Sequence, residues 1–115
     1  ITVFGCGGDR DAGKRPLMGR IASELSDVCI VTSDNPRGED PAAIVAEIAR
    51  ACIGCHHQIV DRAQAIISAV EMARAGDCVL VAGKGHEDYQ IVNGERLHFS
   101  DEEQLNLAFA GRVAS

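Results

Sequence analysis

Continuous apolar runs alternate with amphipathic stretches along this chain. Residues 1–6 (ITVFGC) are apolar and run into glycines, which predicts a buried strand. Leu17, Met18, Ile21, Ala22 and Leu25 recur at helical spacing, and Pro16 suits a first helical turn. Val28 to Thr32 reads as a second buried strand. Asp40 predicts an N-cap with Pro41 at N1, ahead of Ile44, Val45, Ile48 and Ala49. Gln58 to Val60 predicts a short third strand, and Asp61 the cap of a helix with the stripe Ala65, Ile66, Ala69, Val70 and Ala73, ended by Gly76. Cys78 to Ala82 is the most strand-like run. Tyr89 to Val92, Asn93-Gly94 and Glu95 to Phe99 predict a β-hairpin, because Asn-Gly favours the positive φ of a tight turn. Ser100 with Glu103 three residues on predicts the capping box of a last helix.

This order predicts an α/β fold: a Rossmann-like, mostly parallel sheet with helices on both faces and a C-terminal β-hairpin, all in one domain over residues 1–115. Ligands of such sheets bind beyond the carboxyl ends of the strands. That rule selects three loops, Gly7 to Arg15, Ser33 to Asp40 and Gly83 to Asp88, where glycine, charge and histidine also concentrate.

Composition narrows the function classes. A net charge of −6 argues against a general nucleic-acid surface or an anionic membrane. No apolar run approaches the ~20 residues of a membrane span. Five cysteines, an odd number, fit a reducing compartment better than a disulfide framework, and Cys6, Cys29 and Cys78 are expected to act as small hydrophobes in strands. The opening ITVFGCGG reads as a core strand already under way, so the natural polypeptide is expected to continue upstream of Ile1. Cys52-Ile-Gly-Cys55-His56 has the spacing of a haem attachment site and is followed by His57, but zinc would need two more ligands and little else suggests a haem pocket. The expectation is a helix-to-strand loop with incidental cysteines, and no metal.

Each of the three loops carries candidate chemistry. In GCGGDRDAGKRP, Gly8 to Lys14 matches the glycine, four residues, glycine, lysine part of a phosphate-binding loop. The next residue should be Ser or Thr to hold Mg²⁺, but it is Arg15. What remains is either a glycine-rich turn or an anion site of backbone N–H groups with Arg10 or Lys14. In DNPRGED, Pro36 fixes its own φ and pushes Asn35 towards an extended conformation, so Arg37 is presented from a stiffened turn. Arg37 then either grips a ligand carboxylate or pairs with Glu39 or Asp40 in solvent. In GKGHEDYQ, Gly83 and Gly85 allow close backbone approach, while Lys84, His86, Glu87 and Asp88 supply ionisable groups.

Taken together and in this order, GCGGDRDAGKRPLMG, TSDNPR and VLVAGKGHEDYQ closely resemble the C-terminal domain of the Mur ligases, within them the members that add meso-diaminopimelate. The resemblance covers essentially the whole chain. It implies a bacterial, cytoplasmic enzyme that uses ATP and Mg²⁺ to activate the D-glutamate carboxylate of UDP-MurNAc-L-Ala-D-Glu as an acyl phosphate, which the amino group of diaminopimelate attacks. Carried over by motif, Arg10, Asn35, Arg37, Gly83 and Glu87 contact diaminopimelate, and Asp34 and Pro36 shape the loop. Asp9, Lys14, Lys84 and His86 are candidates for ATP-side or anion contacts. The resemblance also implies a domain truncated at its N-terminus, lacking the opening strand and helix with a DYAHTPD-like segment. No GKT or GKS phosphate loop and no segment with a carbamylated lysine is present, so no catalytic residue is assigned here and the isolated chain is expected to be inactive and to hold no cofactor tightly. ATP and the UDP-linked substrate would be bound through domains outside this sequence. The alternative is a stand-alone Rossmann-like module for a nucleotide or another anion, resting on Gly8 to Lys14.

Overall fold

A computed structural model of the chain describes residues 1–8 and 12–114, the last two of these by backbone alone. The elements run β1 (Thr2–Phe4), α1 (Lys14–Leu25), β2 (Cys29–Val31), α2 (Pro41–Ala49), β3 (His56–Gln58), α3 (Arg62–Met72), β4 (Leu80–Val81), β5 (Tyr89–Val92), β6 (Glu95–His98) and α4 (Asp101–Ala114). Strands β1 to β4 form a parallel sheet in the order β3-β2-β1-β4, and β5 and β6 pair as a separate antiparallel hairpin. Register is set by pairs such as Val3 with Ile30 and Val3 with Val81.

The central strands are buried on both faces, and alternate residues feed two cores. Phe4, Cys29 and Val31 pack with Ile44, Val45 and Ile48 of α2. Val3 and Ile30 pack with Ala65, Ile66 and Ala69 of α3, and Phe99 and Leu105 join them. A polar residue at Val3, Phe4 or Cys29 to Val31 would desolvate with no partner, which is why these buried positions are all apolar.

Local signals place the helices. Asp40 accepts from Ala42 N at 3.0 Å with Pro41 next in the chain. Asp61 accepts from Ala63 N and Gln64 N. Ser100 Oγ accepts from Glu103 N at 3.3 Å, whereas the Glu103 carboxylate turns to His98 Nε2 at 2.8 Å. Asn93 and Gly94 take φ of 50° and 77°, as the hairpin turn requires.

Four sequence expectations need correction. The third strand is His56–Gln58 rather than 58–60, because it is a partly exposed edge strand that apolar patterning cannot mark. His56 and His57 therefore lie in the sheet, not in a loop. Helix α3 ends at Met72, ahead of Gly76, which turns at φ 91°. Cys78 is exposed, and Leu80 is 55% exposed, because β4 is the other edge. Helix α1 also faces unexpectedly: it buries Arg15, Gly19 and Ser23, while Leu17, Ile21 and Leu25 are exposed. Close packing on α2 explains this, since a Cβ at Gly19 would stand 2.4 Å from the Ile48 carbonyl oxygen.

Candidate functional site

The sheet order places β1 between β2 and β4, so the loops leaving their carboxyl ends are neighbours. Between β1 and β4 the connections switch to the other side of the sheet, and a crevice opens there. Gly5, Cys6, Gly7, Lys14, Asp34 and Gly83 line it. Burial pushes the Cys6 thiol up to about 11, and its Sγ donates to Met18 Sδ at 3.4 Å, so it sits there as a protonated, unreactive group.

Backbone contacts join the first two loops. Gly8 N donates to the Asn35 carbonyl at 2.7 Å. A Cβ on Gly8 would lie 1.8 Å from the Pro36 carbonyl oxygen, so only glycine permits this approach. Arg15, at the position where a phosphate-binding loop needs a hydroxyl, is buried and closes the back of the same corner. Its guanidinium donates to Glu39 at 2.8 and 3.2 Å, to Glu47 at 2.9 Å and to the Gly7 carbonyl at 3.1 Å.

The hairpin holds the second loop from the other side. Asn35 is buried, and its Oδ1 accepts from Ile91 N at 3.0 Å and from Lys84 Nζ at 3.2 Å. Gln90 Nε2 donates to Ser33 Oγ at 3.0 Å and to the Asp34 carbonyl at 2.6 Å. Arg37 bridges to β5: its N donates to the Ile91 carbonyl at 3.0 Å, and Asn93 N donates to the Arg37 carbonyl at 2.8 Å. These bonds hold Arg37 at φ 53°, in the left-handed region, at a cost of about 1–2 kcal/mol for a residue with a Cβ.

The Arg37 guanidinium is half-buried and donates to the Gly8 carbonyl at 2.9 Å and, at 3.4 Å, to that of Asn35. The two acids considered as its solvent partners have other bonds. Glu39 takes Arg15, and Asp40 caps α2. Among the described residues no carboxylate forms an ion pair with Arg37.

The third loop contributes a second cation. The Lys84 side chain is wholly buried; Nζ donates to the Tyr89 carbonyl at 2.7 Å and lies 3.1 Å from Asp34 Oδ1. That last approach is a charge contact rather than an aligned hydrogen bond, because Asp34 Oδ1 has no hydrogen-bond partner. Gly83 takes φ 115°, and Glu87, half-buried, accepts from Tyr89 Oη at 3.4 Å. His86 is exposed at the loop tip.

Thus Asp34, Asn35, Pro36, Arg37, Gly83 and Lys84 are brought to one corner, Lys14 lines the crevice beside it, and Glu87 joins through the third loop. Asp9 and Arg10 lie outside the described residues. Two residues to which sequence reading gave no supporting role hold the corner. One is Arg15, read there only as a departure from the phosphate-loop pattern. The other is Arg62, whose side chain is fully buried. Arg62 grips Asp101 with two bonds of 2.8 Å and donates to the carbonyls of Ser33 at 3.0 Å and Ala82 at 3.2 Å, which open the second and third loops. Its position directly after an N-cap gave no sign of this, because the partners lie 20 to 39 residues away.

Comparison with known proteins places these loops in a family. The pattern of the Mur ligase, glutamate ligase domain matches residues 1–85. A protein of Gloeobacter violaceus named UDP-N-acetylmuramoyl-L-alanyl-D-glutamate--2,6-diaminopimelate ligase is 57% identical over 97% of this chain and 23% of its own length. One of the same name from Agrobacterium fabrum is 58% identical over 96% of this chain and 22% of its own length. A solved structure of a ligase so named superposes with a TM-score of 0.93 at 46% identity, covering 99% of this chain and 24% of that one. The chain therefore spans about a quarter of the length of the relatives it matches.

Proposed function

The chain belongs to the Mur ligase family, and on that premise we propose that it is the amino-acid-binding, C-terminal domain of a ligase that adds meso-diaminopimelate to UDP-MurNAc-L-Ala-D-Glu in the bacterial cytoplasm. In the whole enzyme, ATP would convert the D-glutamate carboxylate into an acyl phosphate. The amine of diaminopimelate would attack the acyl carbon, lose a proton and expel phosphate, leaving an amide bond. This domain would bind and aim that amine rather than exchange protons with it.

Arg37 carries the reading. Its guanidinium is anchored by neutral carbonyls and lacks a carboxylate partner among the described residues, in a chain of net charge −6. Diaminopimelate differs from lysine by one carboxylate at its far end. Arg37 with the Asn35 amide would pair with that group, Glu87 would accept from the ammonium beside it, and Gly83 and Arg10 would complete the pocket. Lysine would leave the guanidinium without an anion, which a half-buried site rejects strongly.

The first loop departs from the magnesium-holding pattern of a phosphate-binding loop. Arg15 occupies the position where such a loop needs a hydroxyl, and its guanidinium donates to the Gly7 carbonyl instead. Nucleotide activation would belong to the rest of the ligase, with Lys14 at the crevice as this domain's contribution. In the full-length enzyme, Arg37→Ala should raise KM for diaminopimelate far more than KM for ATP. An equal rise in both would make the loop merely structural and end the assignment. The 115-residue chain alone should release no phosphate from ATP.

A further inference from the structure

We propose that Lys84 is a positioning residue that fixes the amide orientation of Asn35, so that Asn35 offers its NH₂ group, not its carbonyl, to the distal carboxylate of the incoming amino acid. This rests on the reading of the site as a diaminopimelate pocket. An asparagine amide accepts at one end and donates at the other, and electron density seldom distinguishes the two. Here the neighbours decide. The Lys84 ammonium has donors only, and so has the Ile91 backbone N–H. Both converge on one end of the Asn35 amide, at 3.2 and 3.0 Å. That end must be the oxygen. A flipped amide would set NH₂ against an ammonium and an N–H, leaving buried donors without acceptors.

The other end of the amide, turned away from Lys84 and Ile91, is then a donor pair. A donor pair beside Arg37 suits a carboxylate, whereas a carbonyl there would repel it. Lys84 cannot supply this contact directly: its side chain is wholly buried, and Nζ donates to Asn35 Oδ1 and the Tyr89 carbonyl, with Asp34 Oδ1 3.1 Å away. The nearby Asp34 carboxylate lies 3.1 Å from the buried ammonium and forms no ion pair with Arg37. Lys84 thus acts on the ligand only through Asn35.

The test is a double-mutant cycle in the full-length ligase. Lys84→Met keeps the side chain out to the Cε position and removes the ammonium. It should raise KM for diaminopimelate about tenfold, the loss expected for a misdirected hydrogen bond to a charged group, with KM for ATP changed by less than about twofold. Asn35→Ala should raise KM for diaminopimelate at least as much. The double variant should be no worse than Asn35→Ala alone, because a residue that acts only through Asn35 has nothing left to orient. Multiplying effects, or an unchanged KM in Lys84→Met, would overturn the inference while leaving the diaminopimelate reading intact. A wild-type enzyme that ignores diaminopimelate would remove both. If Lys84→Met does not fold, NMR of the wild-type enzyme provides the test. Diaminopimelate should move the Asn35 side-chain NH₂ signals more than Lys84 Cε, and the reverse order would overturn the proposal.

Discussion

Arg62 and Arg37 both donate to backbone carbonyls at the carboxyl edge of the sheet, Arg62 to those of Ser33 and Ala82, Arg37 to those of Gly8 and Asn35. They differ in what balances the charge. Arg62 meets Asp101 in a two-pronged pair inside the protein, on a helix with ordinary geometry. Arg37 has no described carboxylate partner and sits on a strained backbone. The first arrangement consumes the charge in building the loops' foundations. The second leaves the charge held by neutral carbonyls, at some expense in backbone energy, an arrangement that suits the ligand contact proposed for it. Hydrogen bonding to carbonyls alone would not have separated the two; the counter-ion and the φ angle do.

The largest predicted effect tests the structural side of this contrast. Arg62→Ala leaves Asp101 buried without its cation and should cost about 3–5 kcal/mol in urea unfolding of the chain. Arg62→Met combined with Asp101→Leu should recover most of that loss. If Arg62→Ala is nearly silent, the clamp is decorative and the comparison collapses. Next, Gly8→Ala forces a methyl against the Pro36 carbonyl and should cost about 1–3 kcal/mol, with diaminopimelate affinity falling in step because the Arg37 loop must shift. Full stability in this variant would show that the two loops are not locked together.

Smaller effects belong to Arg37 itself. Arg37→Ala should change stability by less than about 1 kcal/mol while impairing use of diaminopimelate. Arg37→Gly removes the penalty of the left-handed backbone and should exceed Arg37→Ala in stability by up to about 1 kcal/mol. A less stable glycine variant would mean that the backbone is not strained.

The smallest effect concerns His98, whose hydrogen bond to Glu103 raises its pKa above the ordinary histidine value of 6.5. A raised folded-state pKa means that this link between β6 and α4 is fully present below that ordinary value and is lost as pH rises through the folded one. The NMR titration of His98 should show the elevated midpoint, and Glu103→Gln should bring it back. An unshifted His98 would mean that the pair does not persist in solution.

Much of this architecture was legible because its determinants are local. Asp40, Asp61 and Asn93-Gly94 announce their elements within a few residues. The three candidate loops follow from strand ends, without knowledge of packing. What escaped was non-local. β3 is a sheet edge made of His56, His57 and Gln58, so no apolar pattern marks it. Arg15 and Arg62 look like helix-surface charges until their partners are folded against them. The φ of Arg37 is likewise imposed from residues 91 and 93, not by the adjoining proline alone.

That last dependence bears on how separable this domain is. The family's pattern covers residues 1–85, and the two cores are built almost wholly within that stretch. Yet Asn35 and Arg37 take Ile91 and Asn93 as partners, in a hairpin that belongs to neither core. Proteolysis between Gly85 and Tyr89 would spare the doubly wound body and still free the recognition loop from its brace. In the proposed reading, substrate choice would therefore depend on a hairpin that lies outside the residues matched by the family's pattern.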